Sequence, residues 1–203
     1  MNYLSATEYE THGLDASTAQ AWITSASALI DAHCRRATLG VAEYTERLRI
    51  APGTNTVRVS FLPLVVLEPA TSAIVKLRAR YGVPRRGDEL AADVAQAFSL
   101  PGAWVDLDPA QMEWRAETGE ITLAPNALGL AFNEVEVTYT AGFAEVPEPV
   151  KAACAQIVRN AQATPALNVR AGMLDRMQLE YFSDSLLDAT VRTLLAAYVA
   201  VRL

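Results

Sequence analysis

The sequence predicts an α+β fold, in which an N-terminal helix and two C-terminal helices pack as a small bundle with a large antiparallel β-rich insertion. Two observations predict it. Apolar residues recur at intervals of three and four near both ends of the chain, and at intervals of two across the middle. We therefore expect a single domain over residues 1–203, with helical parts at about 1–43 and 142–203 and the insertion at about 44–141.

Composition and charge argue against several classes of protein. The 203 residues are 51% hydrophobic and 20% charged, with a formal net charge of -6. These values are typical of one folded domain or two small ones. No apolar run approaches the roughly 18 residues that a bilayer helix needs, and residues 1–11 lack the features of a secretory signal, so we expect a cytoplasmic protein. The negative charge argues against sequence-independent binding of nucleic acid, although DNA could still pass the protein.

The first helix is predicted at about residues 15–36. Its apolar stripe has helical spacing and contains Ala19, Trp22, Ile23, Ala26, Leu29, Ile30 and Cys34. Either Asp15 or Ser17 is expected to cap the first turn. Trp22 is expected to lie in the core because it belongs to the stripe.

The middle of the chain has the period of two that is typical of strands. We predict a hairpin between residues 44–50 and 57–61, because a cluster of turn residues separates these runs. Further strands are predicted at residues 72–80, 103–107, 112–116, 120–124 and 133–140. In the last of these, Val135, Val137 and Tyr139 alternate with polar residues, so one face is expected to be buried and the other solvated.

Residues 82–102 lose this period. Arg85 and Arg86 lie in a loop-like stretch, and residues 89–98 could form a short helix. Long connections often carry function and usually run over the surface, because a buried loop would leave its backbone polar groups without partners. We therefore expect both arginines on an exposed loop.

Two helices are predicted near the C-terminus. The first covers about residues 148–163 and is opened by Pro147 and Pro149, which are tolerated in a first turn. The second covers about residues 185–201, with Asp184 or Ser183 as its cap. It is expected to bury Leu187, Val191, Leu194 and Tyr198 against the first, which leaves residues 199–203 beyond the packing. Residues 168–182 fit a short strand or a loop equally well.

The residues that most often carry chemistry do not form a recognisable motif. Cys34 and Cys154 are isolated in the sequence, and we interpret them as buried thiols, as free cysteines usually are. His33 and Cys34 are adjacent and point to different faces of a helix, which is poor geometry for a shared metal, so we interpret His12 and His33 as structural or incidental. The acidic pairs Asp106 with Asp108 and Asp184 with Asp188 are interpreted as solvated. The motifs HExxH, GxSxG, GxGxxG and the Walker loop are missing from the sequence. We therefore expect no catalytic residues, no cofactor and no metal, as in a protein that is not an enzyme.

Three features favour contacts with other proteins. Trp104 and Trp114 could be core aromatics or could contact another subunit, because Trp is common at the centre of interfaces. The run from Tyr198 to Leu203 is largely apolar, and an apolar patch exposed to water would have no purpose. This run either packs on its own core or docks into a partner.

Four short stretches of the chain share their order and spacing with one known family. Residues 139–143 (YTAGF) and 146–153 (VPEPVKAA) are similar to the family's strand, aromatic-glycine turn and proline-opened helix. Residues 185–198 resemble its closing helix and residues 26–36 (ASALIDAHCRR) its opening helix. The arrangement resembles the head-to-tail connector, or adaptor, proteins of tailed phages and of gene transfer agents. The stretches cover under half of the chain, and residues 49–131 are longer than the simple hairpin of the smallest members.

The resemblance implies a subunit of a homo-oligomeric ring, commonly dodecameric, in the neck of a virion or virion-like particle made in the bacterial cytoplasm. The ring would lie below the portal protein and above a stopper or tail-completion protein, with DNA crossing its lumen and with no membrane partner. It implies portal-docking candidates at Tyr198, Val199, Val201, Arg202 and Leu203, and subunit-interface or lumen candidates at Arg85, Arg86, Trp104 and Trp114.

Two other functions stay open at this point. A head-closure or tail-completion protein of the same particle would share the size and the β content. A small enzyme would have to place a nucleophile or a metal among His33, Cys34, Asp106 and Asp184.

Overall fold

A computed structural model describes residues 1–51, 54–68, 72–82, 102–124, 132–163, 171–174, 177–180 and 186–200. It contains three described helices: α1 (Gln20–Cys34), α2 (Glu148–Ala163) and α3 (Ala189–Leu195). The described strands are β1 (Ala42–Arg49), β2 (Thr56–Arg58), β3 (Ile74–Arg80), β4 (Val105–Leu107), β5 (Glu113–Trp114), β6 (Glu120–Thr122), β7 (Glu134–Ala141), β8 (Ala171–Leu174) and β9 (Met177–Glu180). Helices and antiparallel sheets occur together, which confirms the α+β class.

The chain divides into two compact units. The helical unit contains Met1–Gly40 and Ala144–Ala200, and the β unit contains Val41–Phe143. The short helix expected at residues 89–98 lies outside the described residues.

The helical unit is built around the apolar faces of its three helices. Both α1 and α3 contact α2, whose bounds agree with the sequence prediction. The core of the unit also receives Tyr3 and Leu4 from the start of the chain. The helices contribute Ile23, Ala26, Ile30 and Cys34 from α1, Val150, Ala153, Cys154, Ile157 and Val158 from α2, and Val191 and Leu195 from α3. The helical spacing of these residues explains why each helix forms one buried face.

Two predictions about α1 are wrong. The helix begins at Gln20, because Asp15 accepts hydrogen bonds from the backbone N–H and the hydroxyl of Ser17 and so closes a separate turn. Trp22 is 41% exposed. It directly precedes Ile23, which lies in the buried stripe, and consecutive helical residues lie on different faces.

The last helix is shorter than predicted. It begins after Asp188, whose carboxylate accepts a hydrogen bond from the Val191 N–H at 2.7 Å. Its α-helical part ends at Leu195, and a 3-10 turn follows at Ala196–Tyr198. Asp188 therefore supplies the cap that had been assigned to Asp184 or Ser183, both of which lie outside the described residues. In the ambiguous segment before this helix, β8 and β9 pair as an antiparallel hairpin, which is the strand alternative.

Lys151 links α2 to the start of the chain. Its ammonium donates a hydrogen bond to Glu8 at 2.5 Å and lies 3.1 Å from Glu148. The bond from Lys151, with two from Ser5, lowers the pKa of Glu8 from 4.5 to about 2. A carboxylate whose pKa is lowered by folding stabilises the native state above its unfolded pKa, and the stabilisation is lost as the pH falls toward the native value.

We expect Glu8→Gln to weaken the helical unit at neutral pH, because the glutamine cannot form the ion pair with Lys151. The difference from the unchanged protein should shrink as the pH falls from about 4.5 to about 2. Thermal unfolding followed by circular dichroism across this range measures it. Glu10→Gln, at an exposed carboxylate in the next turn, is the matched control. A constant difference between the two proteins from pH 7 to pH 2 would contradict the assignment.

The β unit consists of two antiparallel sheets that share one apolar core. The four-stranded sheet has the order β1-β7-β3-β4, and the three-stranded sheet has the order β2-β6-β5. Leu77, Val135 and Val137 reach the core from the first sheet, and Val57 and Ile121 reach it from the second. The predicted burial of one face of β7 is confirmed, since Val135, Val137 and Tyr139 are fully buried. The expectation that the other face is solvated is wrong, because Glu134 and Thr140 are also buried and arginines of the neighbouring strands pair with Glu134 and Glu136.

The predicted hairpin between residues 44–50 and 57–61 is wrong. All eight residues of β1 pair with β7, and β2 pairs with β6. The two runs belong to different sheets, so the turn residues between them carry the chain from one sheet to the other. Apolar and polar residues do not alternate regularly along β3, because the register with β7 shifts between Ile74 and Lys76 and leaves Val75 exposed.

Gly119 closes the turn between β5 and β6 with a positive φ of 66°. A Cβ at this position would lie 2.6 Å from Cδ2 of Leu62 and 2.9 Å from Cγ2 of Val59. We expect Gly119→Ala to lower the free energy of unfolding by about 1 to 3 kcal/mol, since it adds backbone strain to a steric clash. Denaturant unfolding measures this, with Thr118→Ala as a control in the same turn. An unchanged unfolding midpoint for Gly119→Ala would contradict it.

Candidate interaction surfaces

One face of the four-stranded sheet points away from the apolar core and carries alternating charged residues. We call it the outer face. Its side chains are Glu43, Thr45, Arg47 and Arg49 on β1, Glu134, Glu136 and Thr138 on β7, Lys76, Arg78 and Arg80 on β3, and Asp106 on β4. The period of two places them together, because successive side chains of a strand point to opposite faces.

Two carboxylates on the central strand β7 hold the arginines of the neighbouring strands. Glu136 accepts a hydrogen bond from Nε of Arg78 at 2.7 Å and another from Nη2 of Arg47 at 3.3 Å. Glu134 accepts one from Nε of Arg80 at 2.7 Å. The register explains these pairs, since Glu136 lies directly opposite both Arg47 and Arg78. Burial alone would raise the pKa of Glu136, but the two arginines outweigh burial and lower it.

Trp104 packs on the outer face, among the arginines. The guanidinium carbon lies 4.4 Å from the ring centroid for Arg80, 5.0 Å for Arg78 and 5.2 Å for Arg47. These distances are within the range of cation–π attraction. Of the two interpretations of Trp104 from the sequence, a core aromatic does not fit this position. A contact with another subunit stays a prediction.

Trp114 lies in a different environment. It is half-buried, packs against the apolar core and pairs with Ile121 across β5 and β6. It also lines a cavity of about 550 Å³ together with Thr56, Met112, Glu113, Arg115, Glu120 and Thr122. The core interpretation of Trp114 therefore fits its packing, and its role in an interface is untested.

Packing of the helical unit extends further along the chain than the sequence indicates. Tyr198 is half-buried against the core, and Ala200 is only 7% exposed. The Ala200 N–H donates a hydrogen bond to the Cys34 carbonyl at 2.9 Å, which ties residue 200 to the end of α1. The expectation that residues 199–203 lie beyond this packing is therefore wrong for residue 200. Val199 is half-buried, and Val201, Arg202 and Leu203 lie outside the described residues, as do Arg85 and Arg86.

The two cysteine thiols, including Cys34 of the enzyme alternative, are not activated as nucleophiles. Burial raises the pKa of Cys34 and of Cys154 to about 11, so both thiols are protonated at neutral pH.

In the described ranges, no three His, Cys, Asp or Glu residues are placed to hold a metal ion. None of the described helices is long and apolar enough to cross a membrane. Asp188 serves as the cap of α3, whereas Asp184 lies outside the described residues.

The sequence placed Glu134 and Glu136 on the polar face of β7, but their ion pairs with the arginines of the outer face were not predicted. The signal was present in the alternation of Lys76, Arg78 and Arg80, and in the alternation of Glu134 with Glu136. Charges repeated at intervals of two on two neighbouring strands predict a polar sheet face with cross-strand ion pairs.

No protein-family model matches the chain, and a search of curated proteins finds no significant match.

Proposed function

We propose that the chain is a ring-forming subunit of a head-to-tail connector, or adaptor, in a tailed phage or a gene transfer agent. In this proposal the three helices form a small bundle, and the β unit is a large insertion between α1 and α2. The ring lies below the portal protein and above a stopper or tail-completion protein, and packaged DNA crosses its lumen.

The observation that carries the proposal is the order in which the chain builds its two units. The chain leaves the helical unit at Gly40, forms the β unit, and re-enters the helical unit at Ala144. The re-entry follows the strand β7 and the Gly142-Phe143 turn and leads through Pro147 into α2. The resemblance implies an opening helix and a proline-opened helix that share one core. It also implies a strand and an aromatic-glycine turn directly before the proline-opened helix.

Surface chemistry adds a second line of support. A ring needs two different, complementary surfaces on each subunit, because a head-to-tail contact closes only through heterologous interfaces. The β unit offers chemically distinct surfaces: the outer face with Trp104 and its arginines, and the cavity beside Trp114 on the other sheet. Trp and Arg are also the residues that most often dominate the energy of protein interfaces.

The stoichiometry of the complex with the portal protein tests this function. The chain and the portal protein from the same genome are mixed, and the mass of the complex is determined by mass photometry. We expect a mass that corresponds to several copies of the chain on each portal, since a closed ring contains several copies of its subunit. A single bound copy, or no complex at micromolar concentration, would contradict the proposal.

A further inference from the structure

Within the described part of the chain, the four-stranded sheet ends on one side at β1, in an edge that pairs with no further strand. Strand β1 pairs with β7 along its whole length, and no other described strand pairs with it. The Ile50 N–H donates to the Asn133 carbonyl, so the even-numbered residues of β1 direct their backbone groups toward β7. Because these directions alternate along a strand, the N–H and C=O groups of Glu43, Thr45, Arg47 and Arg49 point away from the sheet. Such an edge is a template for another strand.

The opposite side of the sheet ends in the three-residue strand β4. The Arg80 carbonyl accepts a hydrogen bond from the Asn133 N–H, so the even-numbered residues of β3 face β7 and the odd-numbered ones face β4. Leu77 and Ala79 accordingly pair with Leu107 and Val105. The backbone N–H and C=O of Asp106 therefore point away from the sheet.

The two edges are complementary in direction and in face. Every neighbouring pair in the order β1-β7-β3-β4 is antiparallel, so β4 runs opposite to β1. A β1 strand of a second copy beside β4 would continue the antiparallel pattern. Arg49 at the β1 edge and Asp106 at the β4 edge both have backbone groups that point away from the sheet. Their side chains lie on the same outer face, as the side chains of two hydrogen-bonded, directly opposite residues must.

Charge and buried apolar area favour one register between β1 of one copy and β4 of the next. Arg47 is held by Glu136 and packs near Trp104, whereas Arg49 and Asp106 are exposed and form no ion pair with another described residue. Placing Arg49 opposite Asp106 joins these two charges. The same register places Leu48 opposite Leu107 on the other face of the sheet, which packs on the apolar core. It also covers Val105, which is 49% exposed.

We infer that the subunits join head to tail through these edges, with β1 of one copy pairing with β4 of the next and with Arg49 opposite Asp106. The inference rests on the proposed ring and names the contact that closes it. A single chain cannot form this pair, because β7 and β3 separate the two edges by about three strand spacings of roughly 4.8 Å. Any coupling between the two residues must therefore arise between copies.

Disulfide cross-linking in the portal-bound assembly tests the contact. Directly opposite residues of a hydrogen-bonded pair have Cα atoms about 5.5 Å apart, which suits a disulfide. We expect the double variant Arg49→Cys with Asp106→Cys to form covalent multimers larger than dimers on mild oxidation. A mixture of the two single variants should stop at dimers, and Arg49→Cys alone should form none. The native cysteines add little background, since both are buried.

Charge exchange provides a second test that does not depend on cross-linking. Arg49→Asp or Asp106→Arg alone should weaken ring assembly about tenfold or more, because like charges then face each other. The double variant should recover assembly to within about threefold of the unchanged protein. Lys76→Asp is the matched control, since Lys76 lies on the outer face of the same sheet but on the inner strand β3. Melting curves verify that each variant is folded.

The outcomes separate this inference from the proposed function. Rings of normal mass without covalent multimers, or without recovery in the double variant, would overturn the edge contact and leave the ring in place. Dimers from Arg49→Cys alone would indicate symmetric pairing of β1 with β1 and would also overturn it. If the unchanged protein forms no ring with the portal, both proposals fail.

Discussion

Replacing Val201 and Leu203 with aspartate is expected to abolish attachment to the portal protein. In the proposed connector the apolar side chains of Val201 and Leu203 dock into a groove on the portal, where a few buried side chains carry most of the affinity. Burying a carboxylate without a partner costs more free energy than an apolar side chain contributes to such a contact. We therefore expect at least a hundredfold loss of affinity in a pull-down or sedimentation assay, with an unchanged melting temperature.

A matched control separates docking from a general effect of charge. Ala196→Asp with Ala197→Asp adds the same number of charges at two exposed positions of the preceding 3-10 turn. This variant should bind the portal normally. Normal binding by the Val201 and Leu203 variant would contradict the docking role. Loss of the folded state in that variant would assign the segment to the core of the protein instead.

Glu136→Ala is expected to destabilise the β unit by about 1 to 3 kcal/mol. The substitution leaves Arg47 and Arg78 next to Trp104 without the carboxylate that accepts their hydrogen bonds. Glu136 is 17% exposed, so the cost lies between that of a surface ion pair and that of a buried one. Denaturant unfolding followed by tryptophan fluorescence measures the change.

The effect of Glu136 should depend on pH. Its pKa is lowered in the folded state, so the carboxylate stabilises the β unit above its ordinary pKa, and the contribution is lost as the pH falls below about 4.5. Glu43→Ala is the control, because Glu43 is an exposed carboxylate on the same face of the sheet. Equal destabilisation by the two variants at pH 7 would contradict the role assigned to Glu136.

Local patterns predicted the elements that depend on local interactions. The bounds of α2 could be predicted because Pro147 and Pro149 mark its start and a regular apolar stripe runs along it. The start of α1 could not, because Asp15 has the residue type of a helix cap but binds Ser17 in a turn of its own. Trp22 shows the same limit, since an aromatic at the margin of a stripe can be buried or exposed.

Strand pairing depended on contacts between distant residues. The runs at 44–50 and 57–61 are close in the sequence and separated by turn residues, so a hairpin was the expected connection. The partner of β1 is instead β7, about ninety residues later, because the long apolar alternation of β7 requires neighbours on both sides. No pattern within β1 indicates this choice.

The outer face could have been predicted from the sequence, whereas the free edges of the sheet could not. The alternating charges of β3 and β7 predict ion pairs once the two strands are known to be neighbours. The available backbone groups of Arg49 and Asp106 follow only from the register and the order of the strands. Portal docking by Val201, Arg202 and Leu203, and a role for Arg85 and Arg86, remain predictions from the sequence.

Electron microscopy of the chain bound to its portal protein tests the central claim most directly. The account predicts a closed ring of several copies below the portal, in which the β units of neighbouring copies touch edge to edge around an open lumen. A single copy on the portal, or density for the chain only at the tail end of the particle, would contradict it.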